Sequence, residues 1–390
     1  MNASTVPTPA WSLTCSACGT PAALAGATVC VACGQPLFAR YAALEVGRRI
    51  PRELAPRWDS WRYGALMPLL AGETPVSLGE GLTPLIDAPS LAKAVGVRRL
   101  WIKDEGQNPT ASFKARGMSA AMTRARGAGV RGVVVPTAGN AGAALAAYGA
   151  AAGLPVQVFA PRTTPRPILD TIEAMGATLV RIDGHIGDAG KLAIAFAAEH
   201  GYFNVSTLRE PYRVEGMKSM GFEMAEQLGW RMPDAVVYPT GGGEGTIGIW
   251  KAIDEMIAAG WLPPDTAQPT YVVAQAAGCA PIARAFAAGA EKAEPWIDPV
   301  TYAAGLRVPS PFGDRLLLRV LRETNGVAGT ASEEAIAEWT RRLATETGID
   351  AAPEGGCALS VLRDSVTQGT ISTQAEVVVF NTGSGASYRA

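Results

Sequence analysis

Short, continuously apolar runs alternate with helix-like segments along most of this chain, and this alternation constrains the fold more than any other feature. Runs without a polar residue at every second position are typical of strands buried on both faces of a sheet. The predicted strands are 98–105, 132–137, 155–161, 178–183, 235–240, 271–276 and 376–382, and the predicted helices are 114–126, 141–152, 166–175, 187–200 and one from about 246. Because parallel strands need a crossover that is usually a helix, the sequence predicts an α/β protein with parallel-rich sheets.

The length of 390 residues is enough for two such units and a small further piece. We predict an N-terminal piece at 1–45, a large domain formed by 46–97 and 205–390, and a small domain formed by 98–204. Each domain is expected to have three layers, with one sheet between two layers of helices. The ligand site is expected between the domains, at the carboxyl ends of the strands.

Charge and composition exclude several functions. The formal net charge is −1, and no basic domain or polybasic segment is present, so we expect neither nucleic acid nor a membrane surface as a partner. The most apolar stretch, 138–160, is rich in alanine and glycine and does not predict a membrane span. The first residues carry no Lys, Arg or long apolar core, so a cytoplasmic protein is expected. With only two histidines, neither in a motif, a catalytic base must come from a lysine, a carboxylate or a hydroxyl.

A lysine stands where a predicted strand gives way to a predicted helix, in the segment from Asn108 to Gly117. Thr110 and Ser112 are candidate N-caps for that helix. The helix dipole disfavours a positive charge at a helix start, which lowers the pKa of an amine there. Lys114 is therefore a candidate nucleophile and base, with a solvated surface lysine as the alternative on position alone.

Asn140 follows a turn at the end of the strand 132–137. Gly139 permits a tight turn, and the asparagine side chain then stands at the carboxyl end of a strand, where open α/β sheets bind ligands. Taken alone, the pattern also fits an ordinary N-cap asparagine.

A glycine run lies between the strand 235–240 and the helix from about 246. Consecutive glycines let successive backbone N–H groups surround an anion, and the start of the following helix adds its dipole. A phosphate monoester fits such a loop, and a tight connection is the alternative. The residues of the predicted phosphate loop are Gly241, Gly242, Gly243, Glu244, Gly245 and Thr246. A carboxylate is unusual in an anion site, so the side chain of Glu244 is expected to point away from the phosphate.

Thr382 ends the last predicted strand and precedes Gly383. A small hydroxyl at the tip of a buried strand suits a polar contact with a bound ligand. The alternative is a C-terminal turn in which the glycine only terminates the strand.

In this order, the four segments resemble the threonine synthase family of fold type II (tryptophan synthase β-like) pyridoxal-phosphate (PLP) enzymes. The lysine motif of that family is usually Asn-Pro-Thr-Gly-Ser-Phe-Lys-Asp/Ala-Arg-Gly, and the resemblance covers roughly residues 70–388. It implies that Lys114 carries PLP as a Schiff base, that Asn140 contacts the ring hydroxyl oxygen, and that the glycine loop holds the PLP phosphate. It also implies that Thr382 contacts the pyridine nitrogen. A neutral hydroxyl does not force that nitrogen to be protonated, which favours elimination and replacement over transamination.

The resemblance further implies a lyase that converts O-phospho-L-homoserine and water to L-threonine and phosphate. The amine of Lys114 would move protons while phosphate leaves from Cγ and water adds to Cβ. Arg213 matches a phosphate-site arginine of the family, with a structural salt bridge as the alternative role. Thr110 and Lys218 are further candidates for the substrate phosphate, and Ser112 is one for the substrate carboxylate. Relatives are commonly homodimers, and we expect the same here.

One departure from the family pattern concerns the substrate. Many members have Asn-Ser-x-Asn before Pro-Tyr-Arg, and those side chains help to hold the substrate phosphate. This chain has Thr207, Leu208, Arg209 and Glu210 there. Two alternatives therefore stay open, a cysteate-synthase-like β-replacement on phosphoserine and a serine or threonine dehydratase. A second departure, Ala115 after the lysine, is shared by other members and leaves PLP binding unaffected.

Four of the six cysteines form two Cys-x-x-Cys pairs near the N-terminus, each followed by glycine. Four thiolates at this spacing suit a tetrahedral zinc ion. Cytosolic reduction argues against disulfides. We predict that Cys15, Cys18, Cys30 and Cys33 hold a structural Zn²⁺ in a zinc-ribbon-like piece, with an empty remnant of such a site as the alternative.

Overall fold

A computed structural model of the chain describes residues 10–389, which form three separate sheets. The first nine residues of the predicted N-terminal piece, which contribute to the expectation of a cytoplasmic protein, lie outside the described residues. The strands are β1 (Trp11–Cys15), β2 (Pro21–Ala22), β3 (Leu37–Tyr41), β4 (Leu85–Asp87), β5 (Arg99–Asp104), β6 (Val133–Pro136), β7 (Val156–Pro161), β8 (Thr178–Ile182), β9 (Phe203–Asn204), β10 (Ala235–Pro239), β11 (Thr270–Ala276), β12 (Val327–Ala331) and β13 (Glu376–Asn381). The α-helices are α1 (Ala42–Glu45), α2 (Pro89–Val95), α3 (Lys114–Gly127), α4 (Asn140–Ala152), α5 (Arg166–Ala174), α6 (Ile186–His200), α7 (Tyr212–Gln227), α8 (Glu244–Ala258), α9 (Pro281–Ala287), α10 (Asp314–Glu323), α11 (Glu333–Thr347) and α12 (Pro353–Thr367).

The largest sheet has six strands in the order β12-β11-β10-β13-β5-β4, and every pair except β4 with β5 is parallel. Its central strands are buried along their whole length, as their continuous apolar sequence predicts. Helices α2, α11 and α12 pack on one face with one hydrophobic cluster, and α8 and α10 belong to the cluster on the other face. The predicted α/β fold with parallel-rich sheets is confirmed.

The second sheet has four parallel strands in the order β8-β7-β6-β9. Helix α6 packs against β6 and β7, and α4 also packs against both strands. A small separate cluster around Val134 and Phe159 fills the α6 side of this sheet.

The prediction that the strand 98–105 belongs to the small domain is wrong. Strand β5 is paired with β13 over six residues from Arg99 to Asp104, so it belongs to the six-stranded sheet. Its sequence fits either sheet equally well, because a strand with apolar residues on both faces does not specify its neighbour. The other domain boundaries stay predictions.

The N-terminal piece is a three-stranded antiparallel sheet, β2-β1-β3, that packs directly on the main core. The amide of Ala39 donates to Glu215 at 3.3 Å, and the hydroxyl of Tyr41 donates to the same carboxylate at 2.9 Å. Glu215 also pairs with Lys218 at 2.6 Å and with Lys251 at 3.0 Å, and all three charged side chains are at most 3% exposed. This buried charge cluster joins the piece to α7 and α8.

No helix among residues 10–389 is long and apolar enough to cross a membrane.

Candidate active site

The start of α3 is held against the end of β13 by backbone hydrogen bonds. The amide of Phe113 donates to Thr382 O at 3.1 Å, and the amide of Ser384 donates to Ala111 O at 2.9 Å. A bridge between Ser112 and Gly383 completes this short ladder. The structure therefore places Lys114, the first residue of α3, beside Thr382.

Lys114 is mostly buried and lies close to the carboxylate of Glu244. Its side chain is 21% exposed, and its Nζ lies 4.1 Å from the ring centroid of Phe113 and 4.0 Å from Glu244 Oε2. Burial lowers the pKa of the Lys114 amine to about 8, against the opposing effect of Glu244 and with a smaller contribution from Arg213. An amine with this pKa has a sizeable neutral fraction near neutral pH, as a nucleophile and base needs.

The two predicted caps of α3 are not formed. The N-cap residue is Phe113, and no side chain caps the helix. Thr110 adopts a left-handed conformation with φ of 60°, and its hydroxyl donates to the adjacent Pro109 O. Ser112 has an extended backbone, forms a bridge to Gly383 and does not cap the helix with its hydroxyl. That hydroxyl is buried and has no hydrogen-bond partner among the described residues.

Asn140 is the first residue of α4, and Gly139 is the N-cap, as the sequence predicts for a helix start directly after a turn. The turn is held by Thr137, whose Oγ1 accepts from the amides of Gly139 at 3.0 Å and Gly142 at 3.1 Å. A Cβ atom built on Gly383 would lie 3.2 Å from Asn140 Nδ2, so the asparagine amide lies close to the end of β13.

The glycine run forms the turn from β10 into α8. Gly243 has a φ of 84°, which favours glycine, and a Cβ on Gly245 would lie 2.2 Å from the ring of Tyr238. The amide of Ile247 donates to Gly243 O, whereas the amides of residues 241–246 have no acceptor within the described residues 10–389. Six free amides at the start of a 15-residue helix form a site for an anion.

Glu244 and Arg213 form a buried ion pair beside this loop. Arg213 Nη2 donates to Glu244 Oε2 at 2.7 Å, and Arg213 Nη1 donates to Val205 O at 2.7 Å. Both side chains are at most 1% exposed. No loop amide donates to the Glu244 carboxylate in the part of the chain that is described. The guanidinium of Arg213 therefore has the structural partner that the sequence left as its alternative role.

Most of the predicted cofactor residues line one pocket. The predicted residues among its lining are Lys114, Asn140, Gly241, Gly242, Gly243, Glu244, Gly245 and Thr382. Thr246 is buried just behind the loop, with its Oγ1 3.5 Å from that of Thr240. A cavity of about 390 Å³ shares Lys114, Asn140 and Gly242 with this pocket and opens outward from it.

The predicted substrate residues are less well placed. Thr110, Ser112 and Arg213 line neither the pocket nor the adjoining cavity. Lys218 is fully buried with Glu215 and Glu255, in the charge cluster that holds the N-terminal piece. It is therefore excluded as a phosphate ligand, because an anion cannot reach it.

Sequence reasoning assigned no role to Glu354, which lines the same pocket. Its Oε1 accepts from Gly305 N at 2.9 Å and from the hydroxyl of Tyr388. Burial raises the pKa of this carboxyl group. The only sequence signal was the Pro-Glu-Gly segment at 353–355, which resembles the family but does not indicate a contact.

The four N-terminal cysteine sulfurs form a compact cluster in which all lie within 4.8 Å of one another. Individual separations are 3.4 Å for Cys15 to Cys33, 3.5 Å for Cys33 to Cys18 and 3.7 Å for Cys18 to Cys30. Tetrahedral zinc with bonds of about 2.3 Å separates its sulfurs by about 3.8 Å, so the cluster has the size of a zinc site.

Comparisons with known proteins agree on the family. Residues 76–383 match the sequence model of the family described as pyridoxal-phosphate dependent enzyme. The chain is 34% identical to a threonine synthase of Methanosarcina acetivorans over 83% of its own length and 78% of that protein. A threonine synthase of Methanocaldococcus jannaschii is 33% identical over 83% of this chain and 80% of that protein. Among solved structures, diaminopropionate ammonia lyase from Escherichia coli is similar in fold, with a TM-score of 0.68 and 19% identity over 86% of this chain and 91% of that one.

Proposed function

The chain belongs to the family of pyridoxal-phosphate-dependent enzymes and, within it, to the threonine synthases, and from this premise we propose that it converts O-phospho-L-homoserine and water to L-threonine and phosphate. The observation that carries this proposal is the identity of about a third to threonine synthases over most of both chains. The cavity that opens from Lys114 adds support, since a small amino acid fits its volume of about 390 Å³.

The residues of the pocket fit PLP. The free amides of 241–246 suit its phosphate, and a Cβ on Gly242 would lie 2.9 Å from Thr207 Cγ2, so only glycine leaves this loop open. A lysine amine with a lowered pKa stands across the pocket, where the aldehyde needs a nucleophile. Asn140, at the start of α4, and Thr382, at the end of β13, offer one amide and one hydroxyl to the same pocket.

When bound, PLP supplies an aldehyde that links to amines and a conjugated ring that takes up an electron pair from a substrate carbon. The protein then has to hold the cofactor, orient the substrate and move protons. Lys114 is the group for proton transfer, because its amine is the base nearest the reacting centre and its pKa of about 8 suits both directions. Thr382 would offer the ring a neutral hydroxyl, without the charge that a carboxylate partner would bring.

One observation is the reason to test the alternative substrates as well. Arg213, the expected phosphate ligand, is enclosed in an ion pair and does not face the cavity. A β-replacement on phosphoserine and a serine or threonine dehydration both use the same Lys114 chemistry, so only the products separate them.

The experiment measures inorganic phosphate and amino-acid products from O-phosphohomoserine, phosphoserine, homoserine, serine and threonine. We expect phosphate and threonine from O-phosphohomoserine, visible absorbance of the purified protein, and borohydride trapping of PLP on Lys114. The variant K114A should lose activity by about a thousandfold or more. Release of a keto acid from serine or threonine, or turnover of phosphoserine alone, would replace this function by an alternative.

Three further points belong to the proposal. The cysteine cluster holds one structural Zn²⁺, which its size and its four thiols support. Four cysteines that hold zinc and do not form disulfides suit a reducing compartment, and we place the protein in the cytoplasm. We also expect a homodimer, as the family resemblance implies.

A further inference from the structure

The cavity outside Lys114 has a wall made by the chain between β9 and α7. Thr207 and Arg209 face the cavity from this wall, together with Ser206. The intervening Leu208 is 1% exposed, with a φ of 59°, and Glu210 turns inward, accepting from the amides of Tyr212 at 2.6 Å and Arg213 at 3.0 Å. The stretch that departs from the family pattern thus alternates between residues that support the fold and residues that line the cavity.

The guanidinium of Arg209 has no carboxylate partner within 4.0 Å among the described residues 10–389. It stacks over the ring of Phe312, with 4.2 Å between the guanidinium carbon and the ring centroid, and Phe312 lines the same cavity. Burial against its neighbours lowers the pKa of Arg209 from its ordinary value, and no nearby acid opposes this shift. An arginine stays charged under these conditions, so the cavity holds a positive charge without a counter-ion from the described chain.

The other cations that line the cavity each lie near a carboxylate, and for Lys114 this is Glu244, 4.0 Å from its Nζ. Lys191 lines the cavity, but its Nζ pairs with Asp188 at 2.9 Å. Arg213 pairs with Glu244 and donates its second nitrogen to Val205 O. Because a carboxylate already balances each of these charges, Arg209 is the cation of this wall that remains to attract an anion.

We propose that Arg209, held in place by Phe312, binds the phosphate group of the substrate in the cavity outside Lys114. This inference rests on the proposed function and makes it more specific, because it names the residue that selects phosphorylated amino acids. A planar guanidinium donates two parallel hydrogen bonds to phosphate oxygens. The hydroxyl of Ser206 already donates to Asn204 Oδ1 at 2.5 Å, whereas Thr207 and Ser310 line the same cavity and offer further hydroxyl donors.

The test compares steady-state kinetics of the purified holoenzyme with those of R209Q, R209K and R213Q. Arg209 holds the phosphate in the bound substrate as well as in the transition state, so R209Q should raise KM for the phosphorylated substrate by roughly tenfold or more and change kcat less. R209K keeps the charge but loses the bidentate geometry, and an intermediate KM is expected. R166Q, which removes an arginine of the same charge from an exposed ion pair on α5, is the control and should match the wild type.

A binding measurement shows whether Arg209 binds the phosphate directly or only supports the fold of the cavity. Inorganic phosphate should inhibit the wild type competitively, and its inhibition constant should rise roughly tenfold in R209Q. Threonine carries no phosphate, so its affinity, followed by the change in visible absorbance, should stay the same in R209Q. If threonine binding weakens as much as phosphate binding, Arg209 supports the fold of the cavity and the inference is wrong.

The outcomes distinguish this inference from the proposed function. If the wild type consumes phosphoserine but not O-phosphohomoserine, the function is wrong, yet the rise in KM for phosphoserine in R209Q would still support Arg209. If the wild type makes threonine and R209Q has an unchanged KM, while R213Q raises it, the function holds and the inference is overturned. Turnover of unphosphorylated substrates alone would refute both.

Discussion

Arg213 donates to Glu244 at 2.7 Å beside a loop whose free amides suit an anion. A lone carboxylate in this position would repel the phosphate of a cofactor. The pair with Arg213 removes that charge, and so the amides of the loop and the start of α8 are left to attract the anion. The same carboxylate lies 4.0 Å from Lys114 Nζ, so the pair also influences the reactive amine.

Removing only the arginine of this pair should destabilise the protein strongly. R213M leaves Glu244 as a buried carboxylate without its partner, and the free energy of unfolding should fall by about 3 kcal/mol or more. In R213M/E244Q the stranded charge is gone, and we expect a good part of the loss to be recovered. Denaturant unfolding of the apoprotein measures both variants. Equal losses in the single and the double variant would show that the unpaired charge of Glu244 is not the cause.

Glu244 should also set the pH dependence of cofactor uptake. Only a neutral amine attacks an aldehyde, so the rate at which the apoprotein takes up PLP should rise with pH, with its midpoint near pH 8 and below the ordinary lysine value of 10.5. Glu244 favours the charged amine and Arg213 opposes it. E244Q should therefore move the midpoint to lower pH. Stopped-flow absorbance gives the pH profile. The control is E173Q, which alters an exposed carboxylate on α5. A midpoint that stays or rises in E244Q would contradict this account.

The glycine loop should not tolerate a methyl group at Gly245. A Cβ there would lie 2.2 Å from the buried ring of Tyr238, so G245A must displace either the ring or the start of α8. We expect the affinity for PLP to fall by roughly tenfold or more, because the amides no longer converge on the phosphate. In G64A the added methyl group meets no atom within 4 Å, and PLP should bind normally. Equilibrium titration of the apoproteins with PLP measures these affinities. Equal affinities of G245A and the wild type would refute the role of the glycine loop in binding the phosphate.

Metal analysis tests the cysteine cluster. The purified protein should contain one zinc ion per chain, and C30S should lose it because a tetrahedral thiolate site needs all four ligands. Since binding energy at such a site contributes to folding, C30S should unfold several degrees lower than the wild type in a thermal scan. C279A, which alters a buried cysteine far along the chain, should keep its zinc. Absence of zinc from wild-type protein expressed in zinc-supplemented cells would favour the empty remnant.

The predicted strands and helices agree with the structure within a residue or two, because buried parallel strands have a distinct continuous apolar pattern. The convergence of Lys114, Asn140 and Thr382 was also predictable, since strand ends of parallel sheets and the turns after them share an edge. Contacts between residues far apart in the sequence were not predictable. The pairing of β5 with β13 joins strands some 277 positions apart, and the Arg213–Glu244 pair depends on how α7 packs against α8. Similarly, a local capping rule suggested Ser112, but its bridge to Gly383 overrides that rule.

The buried charge cluster of the N-terminal piece has a consequence for shortened forms of this enzyme. Tyr41 donates to Glu215 from β3, while Glu215 and Arg213 lie two positions apart on the first turns of α7. A chain beginning at residue 46 would bring solvent to Glu215, Lys218 and Lys251, immediately beside the residues that shape the glycine loop. The N-terminal piece thus covers the outer side of α7, the helix that carries Arg213. We therefore expect such a truncation to be less stable than the full chain in denaturant unfolding.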